Sequence, residues 1–189
     1  MANLVAVLGS ATAPGRLHRA LSEALARAAV PGRVSTELID LGAVTIAPAD
    51  GRSPDQLGDD TASTLAAIGA ADAVVLATPV YRGSMTGTLK NLIDHVPTEA
   101  LRDKPVAIVA MGASDHHYLG AERHLRDVLA FFGALVCPTA CYLSSRDFEN
   151  GAVVERAARE LDETIASALA LAGAGTGRLG PDPLGARAR

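Results

Sequence analysis

The residues best suited to chemistry lie in three short stretches, each following an aliphatic run. The first stretch reads Gly9-Ser10-Ala11-Thr12-Ala13-Pro14-Gly15-Arg16 and leads into a helical pattern. Hydroxyl groups, a cation and the free amides of a helix N-terminus are the parts of a phosphate site. The stretch has neither the Gly-Lys-Ser/Thr of a Walker loop nor a Gly-x-Gly-x-x-Gly fingerprint. It therefore favours a monophosphate, with an ordinary loop and a capping Ser as the alternative.

The second stretch, 78–87, suits a flat ring. It reads Thr78-Pro79-Val80-Tyr81-Arg82-Gly83-Ser84-Met85-Thr86-Gly87. Pro79 stiffens the chain, Gly83 and Gly87 allow close backbone approach, and Tyr81 supplies an aromatic face. A heteroaromatic ligand needs such a wall, with amides aimed at its polar edge. The alternative is that Tyr81 only packs against the end of a sheet.

The third stretch, Met111-Gly112-Ala113-Ser114-Asp115-His116-His117-Tyr118, holds two adjacent histidines. Neighbouring residues on a helix do not share a face, and no carboxylate or Cys completes a recognisable ligand set, so no metal site is expected. Gly-x-Ser-x-Gly does not occur, and no Ser-His-Asp spacing is present. The sequence therefore shows neither a nucleophile elbow nor a Ser-His-Asp arrangement.

Regular elements must position these stretches. Short aliphatic runs alternate with patterns in which apolar residues recur every three or four positions. The runs are Leu4–Leu8, Val34–Leu41, Ala73–Ala77, Val106–Met111 and Ala134–Leu143. The helical stripes are Leu17–Ala28, Leu65–Ile68, Leu89–Val96, Leu125–Phe132 and Val154–Leu169. Asn150 is a candidate cap for the last helix, and the polar residues of the second run place it near a sheet edge.

Five β-α units in strict alternation predict an α/β fold, a three-layer, doubly wound, five-stranded parallel sheet of order 2-1-3-4-5. In this fold a ligand lies beyond the carboxyl ends of strands one and three. We expect one domain over residues 1–172. From Gly173 onward the chain is rich in Gly, Pro and Arg, and we expect residues 173–189 to form a flexible tail.

Composition excludes several classes of protein. The chain has 189 residues, of which 49% are hydrophobic and 3% aromatic, with a net charge of −4. Such a chain is neither disordered nor suited to nucleic acid. Apolar runs are too short for a membrane helix or a signal peptide, which makes the cytoplasm the expected location. Cys137 and Cys141 are expected to be buried free thiols.

One set of residues carries a resemblance to a known family. Thr78-Pro79-Val80-Tyr81, Gly83-Ser84, Gly87, Leu89-Lys90-Asn91 and Asp94 resemble the signature of the NAD(P)H-dependent FMN reductases, which are flavodoxin-like. The likeness is greatest to the reductases of two-component alkanesulfonate monooxygenase systems. It spans the first strand through the fifth helix, about nine-tenths of the chain.

The resemblance implies an FMN site built from the three stretches. The phosphate would lie near Ser10, Thr12 and Arg16, and the ring against Pro79, Val80 and Tyr81. The implied site is completed by Thr78, Arg82, Gly112, Ala113 and Ser114. The family usually has Arg where Thr12 stands and Ser where His18 stands. Arg16 and His18 are the candidates to replace the missing charge and donor.

The implied activity is hydride transfer from NADPH or NADH to flavin N5, which supplies reduced flavin, in some relatives to a monooxygenase. The cofactor carries this chemistry, so the resemblance implies no catalytic acid, base or nucleophile from the protein. Arg82 and Arg123 are candidates to bind a 2′-phosphate. The resemblance also implies a homodimer or homotetramer through the helix of Leu89–Val96 and the next one, with Lys90 and Asp94 as an i,i+4 pair. The alternatives are an FMN-bound quinone or azo reductase and a flavodoxin-type electron carrier.

Overall fold

A computed structural model describes residues 1–10, 14–175 and 179–180. The strands are β1 (Ala2–Leu8), β2 (Val34–Asp40), β3 (Ala73–Pro79), β4 (Pro105–Met111), β5 (Leu135–Val136), β6 (Cys141–Leu143), β7 (Phe148–Glu149) and β8 (Ala152–Val153). The α-helices are α1 (Arg16–Ala28), α2 (Thr61–Ala70), α3 (Gly87–His95), α4 (Thr98–Leu101), α5 (Gly120–Phe132) and α6 (Glu155–Gly173).

The main sheet is parallel and has the order β2-β1-β3-β4-β5, with β6 also pairing with β4. This confirms the predicted order 2-1-3-4-5 and places β2 at an edge. The three central strands are buried on both faces, which explains why their sequences are almost wholly apolar. β7 and β8 form a separate antiparallel hairpin.

Two hydrophobic clusters fill the space on the two sides of the sheet. Leu4, Ala6 and Leu8 of β1 pack with α1 and α6 on one face. Val5 and Val7 point the other way and pack with α2, α3 and α5. The alternation follows from the two-residue repeat of a strand, and it produces the three layers of a doubly wound fold.

The fifth predicted strand, Ala134–Leu143, is not continuous. The structure divides it into β5 and β6, separated by residues 137–140. Pro138 lies in this break and has no backbone N–H to donate to a ladder. The guanidinium of Arg126 donates instead to the carbonyls of Cys137 and Pro138, both at 2.9 Å. Cys137 and Cys141 are buried free thiols, as predicted.

The prediction that Asn150 caps the last helix is wrong. Asn150 lies in the turn between β7 and β8 with a φ of 51°, and α6 begins five residues later with Val154 as its N-cap. Asn tolerates this left-handed conformation better than most residues, which suits it to a turn as well as to a cap.

α6 ends at Gly173, so its last residue is the first residue of the predicted tail. Residues 176–178 and 181–189 of that tail lie outside the described residues, and its flexibility stays a prediction. Among the residues that the structure describes, no helix is long and apolar enough to cross a membrane.

Candidate active site

Strand register brings the three chemistry-bearing stretches to one edge of the sheet. Leu8 pairs with Ala77, and Pro79 pairs with Met111, so the carboxyl ends of β1, β3 and β4 are level. Backbone hydrogen bonds continue beyond the strands: Gly9 N donates to Ala77 O at 2.7 Å, and Val80 N donates to Met111 O at 2.8 Å. The loops therefore leave the sheet from fixed starting points.

These loops enclose a cleft of about 290 Å³. Its described lining is Leu8, Ser10, Gly15, Arg16, Leu17, His18, Pro79, Val80, Tyr81, Met111, Gly112 and Ala113. Eight of the residues predicted from the sequence are in this set, namely Ser10, Arg16, His18, Pro79, Val80, Tyr81, Gly112 and Ala113. Thr12 lies outside the described residues, together with Ala11 and Ala13.

Three predicted site residues do not line the cleft. Thr78 is fully buried and holds the second loop, because its Oγ1 accepts a hydrogen bond from Thr86 N at 3.1 Å. Arg82 lies at the tip of the turn that follows Tyr81. Ser114 holds the third loop through its carbonyl. Thr78 and Ser114 thus hold the loops of the cleft without lining it, and Arg82 lies in the turn beside it.

Tyr81 stands at the base of a two-residue turn. Tyr81 N donates to Ser84 O at 2.9 Å, and Ser84 N donates back to Tyr81 O at 3.1 Å. The two central residues, Arg82 and Gly83, have φ values of 52° and 79°, as a type I′ turn requires. Tyr81 as a whole is 54% exposed and lines the cleft, so its side chain is accessible to a ligand.

The turn is docked on the start of α5. A Cβ on Gly120 would lie 2.6 Å from the carbonyl oxygen of Gly83, so the two backbones meet where a side chain does not fit. His124, one turn into α5, forms a 2.7 Å hydrogen bond between its Nδ1 and Ser84 Oγ. These contacts fix where Tyr81 is held.

The first loop ends at an open helix terminus. Gly15 is the N-cap of α1 and has no side chain to accept from the helix, so the capping-Ser alternative does not hold for this helix start. No acidic residue occupies the first turn of α1. The first turn of α1 lines the cleft, so its N-terminal amides and the positive end of the helix dipole are placed to favour an anion.

Arg16 provides a cation at this terminus. Its Nη2 donates to Ser145 Oγ at 3.4 Å, and its guanidinium carbon lies 5.1 Å from the centroid of the Phe148 ring. The contacts come from the segment after β6, which the sequence did not link to the site. They hold the arginine side chain over the cleft by a cation–π contact and a weak hydrogen bond.

His18 is held by a buried carboxylate. Its Nδ1 lies 2.7 Å from Asp40 Oδ2, and Asp40, at the end of β2, is 7% exposed. The other carboxylate oxygen accepts from Gly42 N at 2.9 Å. His18 is half-buried and lines the cleft, so the pair connects the edge strand to the site.

Tyr142 of β6 fixes the third loop. Its hydroxyl donates to Ser114 O at 2.6 Å, and Gly112 N donates to Leu143 O at 2.9 Å. Burial raises the pKa of the Tyr142 phenol, with Asp115 and Asp147 adding to the effect, so the hydroxyl keeps the proton that it donates. A Cβ on Gly112 would lie 2.0 Å from the same hydroxyl, which accounts for a glycine there.

Sequence reasoning missed Asp40, Thr86 and Tyr142. Thr86 Oγ1 caps α3 by accepting from Leu89 N at 3.2 Å and donates to Gly9 O at 2.5 Å, which ties the second loop to the first. The Thr-Gly step before a helical stripe could have indicated the cap. Asp40 and Tyr142 are long-range partners, and one sequence contains no signal that pairs them with the loops.

The adjacent His116 and His117 form a separate 3-10 turn with Asp115. Within residues 1–10, 14–175 and 179–180, no group of three or more His, Cys, Asp or Glu side chains could hold a metal ion.

Comparison with known proteins identifies the family. The family model described as NADPH-dependent FMN reductase matches residues 2–149. The chain is 36% identical over 167 residues to the NADH-dependent FMN reductase SfnF of Pseudomonas putida, covering 86% of this chain and 88% of the relative. It is 36% identical over 155 residues to an FMN reductase (NADPH) of Pseudomonas aeruginosa, covering 80% and 81%.

Similarity of structure agrees with these matches at the level of the fold. The crystal structure of an NADH:FMN oxidoreductase (EMOB) in its apo form superposes with a TM-score of 0.76 at 24% identity, covering 97% of this chain and 92% of that one. The strand order, the loops at the carboxyl edge and the matched residues lead to one conclusion: the chain belongs to the NADPH-dependent FMN reductase family, with a flavodoxin-like fold.

Proposed function

We propose that the cleft at the carboxyl edge of β1, β3 and β4 binds FMN and brings NADH or NADPH against its ring. The chain is an NAD(P)H-dependent flavin oxidoreductase by family. The observation that carries the site assignment is the cleft itself. It unites an open helix N-terminus and a cation with an exposed aromatic ring and two backbone walls.

The residues present fit the two chemically different ends of FMN. At the α1 end, amides, Arg16 and His18 suit a phosphate, and we assign Ser10 and Thr12 to the same end. Pro79, Val80 and Tyr81 form a wall for the ring, and Gly112 and Ala113 form another. Thr78, Arg82 and Ser114 then serve as supports of these walls, as their positions in the structure favour.

Bound FMN supplies an N5 that accepts hydride, and the chain needs no acid, base or nucleophile for that step. The chain's own residues bind and align. Held loops position the ring so that the nicotinamide meets it in a fixed orientation, which is a proximity effect. The Gly112 N–H is already donated to Leu143 O, so the backbone amide of Ala113 is the one suited to stabilising negative charge at the ring edge.

Flavin titration and turnover together test this assignment. Purified protein freed of flavin is titrated with FMN, and oxidation of NADH and of NADPH is followed with and without added FMN. Oxidation that rises and saturates with FMN supports a reductase that releases reduced flavin. Turnover of a quinone without free flavin would instead favour an FMN-bound quinone reductase. Failure to bind FMN at high micromolar concentration would refute the site.

We also propose that the chain assembles through α3 and α5. Phe131 is 56% exposed on α5, and it shares a groove with Val128 of α5 and with Ile93 and Val96 of the α3 end. Lys90 and Asp94 form an ion pair at 2.5 Å beside this groove, as the i,i+4 spacing predicted. An exposed aromatic among aliphatic neighbours favours a homodimer or homotetramer interface.

A partner that consumes reduced flavin belongs to the same proposal. The likeness to the reductases of alkanesulfonate systems supports a flavin-dependent monooxygenase as that partner. A cytoplasmic location is retained as an expectation from the sequence. Mixing the reductase with a candidate monooxygenase, at limiting FMN, tests whether oxidised substrate forms only when both proteins are present.

A further inference from the structure

We propose that Asp40 positions His18 so that the binding of FMN takes up a proton. The inference rests on the proposed FMN site and adds a residue that does not touch the flavin. It concerns the pair formed by the end of β2 and the first turn of α1. The consequence is that affinity for FMN, unlike affinity for riboflavin, depends on pH.

Geometry fixes the tautomer of His18. Asp40 Oδ2 lies 2.7 Å from His18 Nδ1, and Asp40 Oδ1 accepts from Gly42 N at 2.9 Å. A carboxylate can only accept hydrogen bonds, so Nδ1 must carry the hydrogen in this contact. In neutral His18 the proton is therefore on Nδ1, and Nε2 presents a lone pair.

Nε2 is the nitrogen left for the ligand. His18 lines the cleft, and within the described ranges its Nε2 has no hydrogen-bond partner. A lone pair at Nε2 repels a phosphate oxygen, whereas a protonated Nε2 donates a charge-assisted hydrogen bond to it. A phosphate at the α1 end is therefore bound more tightly when His18 is an imidazolium than when its ring is neutral.

Three side chains from different elements lie around His18 at the cleft. Asp40 faces His18 from β2 with a carboxylate, and Arg16 on α1 lines the same cleft with a cation. Tyr81 contributes a neutral phenol from the second loop. A bound phosphate dianion adds negative charge beside Nε2, and it thereby favours the imidazolium form of His18 over the neutral ring. The second pKa of a phosphate monoester is about 6, so the phosphate is a dianion at pH 7.5, and a proton taken up on binding is held by the protein.

Isothermal titration calorimetry measures this proton directly. FMN is titrated into the flavin-free protein at pH 7.5 in two buffers of different ionisation enthalpy, and riboflavin is titrated in parallel. We expect uptake of up to one proton per FMN and none with riboflavin. By linkage, the FMN dissociation constant then rises with pH wherever proton uptake accompanies binding, by up to about tenfold per unit.

Two variants distinguish the role of His18 from that of Asp40. His18→Ser, the residue usual in the family, should bind FMN without proton uptake. In Asp40→Asn the amide oxygen keeps its bond to Gly42 N, which leaves the amide NH₂ facing Nδ1. The NH₂ then donates to Nδ1 and moves the proton of the neutral ring to Nε2. We expect FMN binding with little proton uptake and a flatter pH profile.

Asp162→Asn is the matched control. It removes a carboxylate of α6 that pairs with Arg27, which lies on α1 as His18 does but does not line the cleft. It should take up the same number of protons as the unaltered chain. A direct reading that needs no variant is ¹⁵N NMR of the imidazole at pH 8, which should show the Nδ1–H tautomer.

The outcomes are distinct from those for the proposed function. Equal proton uptake by the unaltered chain and His18→Ser would overturn the inference while leaving FMN binding intact. An Nε2–H tautomer in the unaltered chain, or full uptake by Asp40→Asn, would refute the positioning role of Asp40. Only the absence of FMN binding by the unaltered chain would count against the FMN site itself.

Discussion

Tyr81 combines a large aromatic side chain with an exposure of 54%, held on a tight turn rather than loose in a loop. With only three Tyr, three Phe and no Trp in the chain, ring-shaped surfaces are scarce. A ring held in place loses little freedom on binding a flat ligand. This makes Tyr81 the residue at which flavin stacking is most directly tested.

Replacing Tyr81 by Ala should weaken FMN binding by about 1–3 kcal/mol, the value of an aromatic stacking contact. Quenching of flavin fluorescence during titration measures the change. Tyr118→Ala is the matched control, because Tyr118 is 56% exposed but does not line the cleft. Equal affinity of Tyr81→Ala and the unaltered chain would mean that Tyr81 is only a packing residue.

Residue chemistry was predictable where it depended on local pattern. Pro79, Val80 and Tyr81 follow a buried strand, and strand ends in a parallel sheet meet at one edge, so the sequence was enough to place them. The placement of Arg16 against Phe148 and of His18 against Asp40 was not, since each pair joins elements that are distant in the chain. Spacing in one sequence carries no information about such partners.

At the scale of elements, each site loop is tied to another element. The first loop is tied to the second by Thr86, and the third is tied to β6 by Tyr142. Such ties reduce the conformational freedom of the loops before a ligand arrives, and less entropy is lost on binding. The cleft is therefore a product of contacts between elements and not of the loops alone.

Gly112→Ala tests the tie of the third loop. The new Cβ would lie 2.0 Å from Tyr142 Oη, so either the loop or the tyrosine must shift. We expect a loss of about 1–3 kcal/mol in the free energy of unfolding, together with weaker FMN binding. Chemical denaturation and flavin titration measure the two effects.

Gly87→Ala serves as the control, because no atom lies within 4 Å of a Cβ built there. Combining Gly112→Ala with Tyr142→Phe should relieve part of the clash, so the double variant should lose less stability than the two single changes add up to. Additive losses would show that the hydroxyl is not what excludes a side chain at position 112.

Elements themselves were largely predictable, because buried parallel strands and amphipathic helices have strong periodic patterns. The prediction of one continuous fifth strand was wrong, although Pro138 within the run was a signal against it, because a proline cannot donate to a ladder. The prediction of Asn150 as a helix cap was wrong because the same residue type suits a helix cap and a left-handed turn. The β7–β8 hairpin was missed, as two-residue strands give no measurable alternation.

At the scale of the whole molecule, the α3–α5 groove provides a test of assembly. Phe131→Glu places a charge in the apolar groove and should shift the chain from a dimer or tetramer toward monomer, because burying an unpaired carboxylate is costly. Sedimentation velocity measures the shift. Val30→Glu is the control, since Val30 is 42% exposed outside this groove. An unchanged sedimentation coefficient for Phe131→Glu would exclude this face as the interface.

Stability of the whole fold should fall in alkaline solution through Cys141. Burial, aided by the carboxylates of Glu160 and Asp147, raises the pKa of this thiol to about 12. The pKa of an unfolded thiol is about 8.5, so between the two values only the unfolded state loses the proton. The free energy of unfolding therefore decreases as pH rises, by up to about 1.4 kcal/mol per pH unit.

Urea denaturation from pH 8 to 11 measures this slope. Cys141→Ala should be less stable at pH 8 but should lose less stability with rising pH than the unaltered chain. Leu143→Val, a change in the same strand with no titrating group, should lower stability by a similar amount at every pH. Parallel curves for Cys141→Ala and the unaltered chain would contradict the prediction.

The interrupted fifth strand has a consequence for how copies of this chain meet. A long free edge of a sheet offers unpaired amides and carbonyls to any neighbouring strand, and it invites the chain to aggregate. Here that margin is cut into pieces of two and three residues, and Arg126 occupies the carbonyls between them. Two carbonyls of this edge are thus already engaged, and the strand pieces on either side are too short to offer a second molecule a long ladder to extend.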